Sequence, residues 1–125
     1  MIGACLLVAG ALRATIPAAS FTVEWLHSVE KTRWEEQYRV EAGRLVLAQA
    51  RIEASGAGMD PPPDARLVDG WWRWRPAMAP LRELRLTVSP FTADYRICWS
   101  GGCHPLHVLS HVDDIEVVTV RPCSG

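Results

Sequence analysis

A chain of 125 residues, 49% hydrophobic and 22% charged, has the size and composition of one globular domain, here taken as residues 1–125, rather than of a disordered segment. Its formal net charge is −1, and its arginines are spread from Arg13 to Arg121, so the polybasic footprint of a nucleic-acid binder is missing. Neither GxxxxGK[ST] nor GxGxxG occurs, which removes the usual phosphate loops and the nucleotide cofactors they hold.

The first twenty residues, MIGACLLVAGALRATIPAAS, admit two readings. The apolar run and the small residues of PAAS resemble an export signal, but no Lys or Arg precedes the run and Arg13 interrupts its continuation. The run is too short to cross a bilayer as a helix. The preferred reading of residues 1–18 is a first strand, ACLLVAG, that ends in a Gly-containing turn.

Period-two alternation dominates from there. In SFTVEWLHS, Phe21, Val23, Trp25 and His27 share one face. In WEEQYRVEA, Trp34, Glu36, Tyr38 and Val40 share a face. VEKTR between them has hairpin-loop length. Ala42-Gly43 turns into RLVLAQARIEA, read as a third strand. SGAGMDPPPDA is a breaker-rich loop. Asp69-Gly70 signals a turn into WWRWR, where Trp72 and Trp74 face one way and Trp71, Arg73 and Arg75 the other. LRELRLTV alternates at its end through Leu84, Leu86 and Val88, and YRICW and IEVVTV complete the strands. HPLHVLSHVDD is one helical turn or a loop. Many short strands with turns between them predict an all-β fold, a small antiparallel β-sandwich or barrel with little helix.

Four stretches invite a chemical reading. In HSVEKTRWEE, alternation puts His27 and Glu36 on the apolar side. A hairpin symmetric about VEKTR sets them opposite or diagonal to each other. A half-buried carboxylate beside an imidazole suits a general base or a ligand contact. The plainer reading is a polar pair that pins hairpin register. Ser28 points to the other face, and Glu30, Lys31 and Arg33 form a solvated tip. SGAGM offers Gly56, Gly58 and Met59 as a turn that permits close approach of a partner. WWRWR offers Arg73 and Arg75 as carboxylate partners, or else a core strand whose arginine stems cover its outer side.

The fourth stretch is CWSGGCHPLHVLSH. Four cysteines allow two disulfides in three connectivities. Cys98 and Cys103 flank WSGG and can meet across a hairpin, while a Cys5–Cys123 bridge would join the two ends. Buried free thiols in a reducing compartment are the alternative. Cys98, Cys103, His104 and His107 also form a minor candidate zinc set, with His107 and His111 on one face if the segment is helical. C-x4-C-H departs from the haem-attachment spacing.

FTVEWLHSVEKTRWEE followed by GRLVLAQARIEASGAGM resembles the DUF1850 family of small bacterial proteins. The likeness rests on the hairpin from His27 to Lys31, the acidic Glu35 and Glu36, and the turn from Gly56 to Met59. It extends over residues 5–107. The resemblance implies association with TRAP transporters of the TAXI type and a periplasmic or otherwise extracytoplasmic, membrane-associated place. It supplies no catalytic mechanism. The expected function is therefore a non-enzymatic accessory domain without a cofactor, which binds transporter membrane subunits, a solute-binding protein or a small carboxylate. His27, Glu30, Glu36 and Gly56–Met59 form or support its contact surface. The alternatives are a small metal-dependent or acid/base enzyme using His27 and Glu36 or the Cys/His cluster, and a structural interaction module marked by an exposed tryptophan patch.

Overall fold

The structure is a computed structural model that describes residues 2–27, 31–54 and 61–124. In chain order its strands are β1 (Ile2–Val8), β2 (Ala11–Ile16), β3 (Ser20–Leu26), β4 (Arg33–Glu41), β5 (Arg44–Glu53), β6 (Arg66–Val68), β7 (Trp71–Trp74), β8 (Leu84–Val88), β9 (Arg96–Trp99), β10 (Gly102–Pro105) and β11 (Glu116–Ser124). One short helix, α1 (Leu106–Ser110), precedes β11. The strands form a four-stranded sheet, β2-β1-β11-β8, and a seven-stranded sheet, β10-β9-β3-β4-β5-β7-β6, both antiparallel. The fold is all-β and sandwich-like, as the alternation predicts.

Tight turns arise at short dipeptides. Ala9-Gly10, Ala42-Gly43, Asp69-Gly70 and Ser100-Gly101 each have positive φ at both residues. That is the type I′ geometry whose twist matches two paired strands, and glycine at the second place makes it accessible. The four turns close β1–β2, β4–β5, β6–β7 and β9–β10. Sequence reading places a turn at each of these sites. It misses β2, β6 and β10, which are too short or too polar to show a period of their own.

One core lies between the sheets. Ala4, Leu6 and Val8 of β1, Val118 and Val120 of β11, and Leu86 and Val88 of β8 meet Phe21, Val23, Tyr38, Leu45, Leu47 and Ile97 of the larger sheet. Leu6, with no exposed surface, illustrates the scale: full burial of a leucine side chain is worth roughly 2–3 kcal/mol. Residues 2–16, the segment with two sequence readings, thus supply a central strand and its edge partner. Leu45 and Leu81 exchange backbone hydrogen bonds of 2.8 Å, which ties the connector before β8 to β5.

Helix α1 fills one end of the sandwich with Leu106. It is held from outside its own turn: Leu106 N–H donates to the Tyr95 carbonyl at 2.9 Å, and His107 N–H donates to Asp94 at 2.8 Å. At its other end Arg13 donates to the carbonyls of Ser110 and His111, at 3.3 and 3.2 Å, where the helix carbonyls lack intrahelical partners. Arg13, which breaks the apolar run of the N-terminal segment, is therefore a cap for a helix almost a hundred residues away.

Candidate functional site

The β3–β4 hairpin carries the first candidates. Its register pairs Phe21 with Tyr38, Val23 with Glu36, Trp25 with Trp34 and Leu26 with Arg33. Backbone bonds continue to His27, whose N–H donates to the Thr32 carbonyl at 2.8 Å. Alternation is therefore right, because His27 and Glu36 belong to one face. The expected pairing is not: Glu36 lies opposite Val23, four residues from His27, about 13 Å along the strand. Arg33, assigned to the loop from sequence, already belongs to β4. Stacked pairs fix the register, Phe21 on Tyr38 with ring centroids 5.7 Å apart and Trp25 on Trp34 at 6.0 Å. The matching four-residue spacings, Phe21 to Trp25 and Trp34 to Tyr38, were the sequence signal for it.

Each member of the expected pair has other neighbours. The His27 ring stacks on Trp34 at 5.9 Å. It lines a cleft of about 410 Å³ at the end of the sandwich, together with Trp25, Leu26, Tyr95 and the hydroxyls of Thr87, Ser89 and Thr92. Glu36 accepts a 2.9 Å hydrogen bond from the Tyr38 hydroxyl. Burial raises the Glu36 pKa above the usual carboxylate range, and the Tyr38 bond partly opposes that rise. Burial, and then the Glu36 charge, raise the pKa of Tyr95. Tyr38 is pushed up by burial, by the Glu36 charge and by its own donated bond.

A carboxyl whose pKa is raised by folding binds its proton more readily in the folded state. Ionised Glu36 therefore costs stability at neutral pH, and that cost fades as pH falls through the raised value toward the unfolded one. We expect Glu36→Gln, which keeps an acceptor for Tyr38, to stabilise the domain at pH 7 and to lose this advantage under acid conditions. Urea denaturation at both conditions measures it. A gain that is the same at both, or a loss at pH 7, would contradict the burial argument.

The opposite face of the seven-stranded sheet is polar. One register row crosses six strands as Arg96, Glu24, Glu35, Arg51, Arg73 and Arg66. Its first four members neutralise one another. Arg96 pairs with Glu24 at 3.0 Å. Arg51 donates to both Glu35 oxygens at 2.9 Å and lies under the Trp71 ring, 4.1 Å from its centroid. Arg66 and Arg73 have no ion pair among the described residues, and neither has Arg75, two residues beyond Arg73. The Arg73 Nε is buried without a hydrogen-bond partner. The adjacent row is neutral: Thr22, Gln37 and Gln49. These rows enclose a hollow of about 320 Å³ lined by Thr22, Glu35, Gln37, Gln49, Arg51 and Arg73. A second hollow continues past Gln49 and Arg73 to Asp64, Arg66 and Arg75.

Arg73 and Arg75 thus lie where strand alternation puts them, on the face away from His27. The sequence reading missed Arg66, Gln37 and Gln49, which join Arg73 only through strand pairing. Glu30, Gly56, Gly58 and Met59 lie outside the described residues. The six tryptophans are all partly buried, and none is among the exposed large apolar side chains.

Both disulfides form, Cys5–Cys123 and Cys98–Cys103. This corrects the zinc and haem readings, since sulfurs joined to each other are not the free thiols or thiolates that metal ligation or haem attachment requires. The Glu24 carboxylate lies beside the Cys98 and Cys103 sulfurs but meets that same objection. His104 packs its ring on Trp99, 4.6 Å between centroids. His107 Nδ1 lies 2.7 Å from Asp94. His111 is the left-handed residue that ends α1 and shares no helical face with His107. Asp94 both caps α1 and orients the His107 imidazole, an arrangement able to hold one ring tautomer in place.

The profile of a domain of unknown function, DUF1850, matches residues 21–106. No curated protein and no solved structure matches the chain. The matched span runs from β3 to the start of α1 and contains the whole seven-stranded sheet and β8, while β1, β2 and β11 lie outside it. With well over half of its length matched, from the stacked hairpin to the Cys98–Cys103 bridge, this chain belongs to the DUF1850 family.

Proposed function

We propose that the chain is a non-enzymatic, extracytoplasmic accessory domain of a TRAP-type solute transporter of the TAXI kind. It acts by binding a membrane subunit or the solute-binding protein. The observation that carries the binding part is the cleft at the sandwich end. Trp25, His27 and Tyr95 line it, Leu26 stands exposed at its edge, and Phe91, in the nearby loop after β8, is 82% exposed. Aromatic side chains around an open cleft, with large apolar neighbours in water, are what a partner surface buries. The compartment part is supported by the two disulfides, which persist in oxidising surroundings. Among the described residues, no helix is long and apolar enough to cross a membrane.

The test is co-purification of the chain with its neighbouring transporter subunits after mild solubilisation of native membranes. We expect the wild-type chain to retain a subunit and His27→Ala to reduce recovery about tenfold, the scale of one interface hot spot, with an unchanged thermal melt. A wild-type chain that retains no subunit overturns the reading. If His27→Ala unfolds the domain, His27 is a structural residue and the cleft loses its place in the proposal.

A further inference from the structure

We infer that the polar face of the seven-stranded sheet is a binding site for a small hydroxylated carboxylate of the sugar-acid class. Arg73 and Arg66 would take the carboxylate, and Gln37, Gln49 and Thr22 the hydroxyls. The inference rests on the reading of the chain as a binding domain, but uses the face opposite the His27 cleft.

Three observations converge on it. The first is a sorting of charge along one row. Arg96 and Arg51 are consumed by Glu24 and Glu35, whereas Arg73 and Arg66, adjacent across β7 and β6, make no ion pair among the described residues. With Arg75 and Asp64 included, the hollow around them keeps a positive excess. The second is the buried Arg73 Nε with no acceptor. A guanidinium N–H removed from water without a partner is costly, and an incoming oxygen would satisfy it. Guanidinium geometry favours a planar carboxylate.

The third is the composition of the rest of the hollow. Beside Arg73 it presents two amides and a hydroxyl, Gln37, Gln49 and Thr22, together with the Glu35 carboxylate. Amides both donate and accept, as sugar hydroxyls do. A second carboxylate on the ligand would face Glu35 in this hollow or Asp64 in the adjoining one, whereas hydroxyl groups could donate to either. One negative charge and several hydroxyls therefore fit better than two negative charges. The hollow that holds Arg73 and the amides, about 320 Å³, is at the small end of ligand pockets, and Arg66 lines the hollow that adjoins it at Arg73 and Gln49.

Isothermal titration of the full-length oxidised chain, in low-salt buffer free of phosphate and sulfate, tests the site with D-galacturonate as probe. Acetate, D-galactose, succinate and sulfate serve as comparisons. We expect galacturonate to bind, and acetate and galactose to bind at least about tenfold more weakly because each lacks one half of the recognition. Arg73→Ala and Arg66→Ala should each weaken galacturonate about tenfold, and Gln49→Ala about threefold. Arg66 is exposed on an edge strand, so its variant keeps the test decisive if Arg73→Ala fails to fold. No binding of galacturonate at millimolar concentration overturns the inference. So does succinate, acetate or sulfate binding as tightly as galacturonate, or an Arg66→Ala variant that binds like the wild type. Subunit recovery from membranes is read separately, so loss of one result leaves the other standing.

Discussion

Replacing Cys5 and Cys123 together by alanine should destabilise the oxidised domain by about 5 kcal/mol, and replacing Cys98 and Cys103 by only about 2 kcal/mol. The difference comes from the chain each bridge closes. Cys5–Cys123 has a sequence separation of 118, and Cys98–Cys103 a separation of 5. A bridge removes more conformational freedom from the unfolded chain when the loop is longer, by a logarithmic dependence. The long bridge also staples the neighbouring central strands of the smaller sheet diagonally, since Cys5 lies two residues from Gly3, the partner position of Cys123. A loss of about 5 kcal/mol is a large part of the stability of a domain this size. Urea unfolding of the two double variants, followed by tryptophan fluorescence, gives the comparison. Equal losses would show that loop closure does not dominate.

Gly3→Ala should lower stability by about 3 kcal/mol and the melting temperature by about 10 °C. Gly3, in β1, packs against the place where the chain leaves β2 for β3. An added Cβ would come within 2.2 Å of the Ile16 carbonyl oxygen and 3.4 Å of the Ala18 nitrogen. Both are backbone atoms, so relief requires a strand to move rather than a side chain to rotate. The pairing of Ala4 with Ile16 and of Gly3 with Cys123 resists that movement from both sides. A calorimetric scan with the melt within about 2 °C of wild type would mean that the β2–β3 connection yields cheaply. Gly3 and Cys5 both test whether β1 contributes to the folded domain as its buried Ala4, Leu6 and Val8 indicate.

Strand identity was legible where one face is buried and the other wet. Phe21 and Val23 in β3 and Leu86 and Val88 in β8 alternate with polar residues, and the structure buries each of them. Turns were legible where glycine came after a residue forced to positive φ. Edge strands β6 and β10 were not, because short strands with little buried surface carry no alternation to read. The hairpin register was readable in principle from Phe21, Trp25, Trp34 and Tyr38. Centring the hairpin on its charged tip instead shifted Glu36 toward His27. Trp72 and Trp74 pair with the buried Ile52 and Ala50 but are themselves only partly buried and lie outside the main core cluster, while Trp71, on the arginine face as alternation expects, covers Arg51.

By itself, the sequence determined an antiparallel β fold, the positions of its main strands and tight turns, and the faces on which His27, Glu36, Arg73 and Arg75 stand. These are local properties, set by a two-residue repeat and by the conformations that glycine permits. Tertiary structure alone decided which cysteines meet, that residues 2–16 supply two of the four strands of the smaller sheet, and that Arg51 is neutralised while Arg73 is not. Hairpin register brings Glu35 to Arg51 and Arg66 to Arg73, and strand order sets Arg73 beside the already paired Arg51. Strand order is fixed by how two sheets close over one core, a global balance of burial against chain entropy that no local pattern encodes.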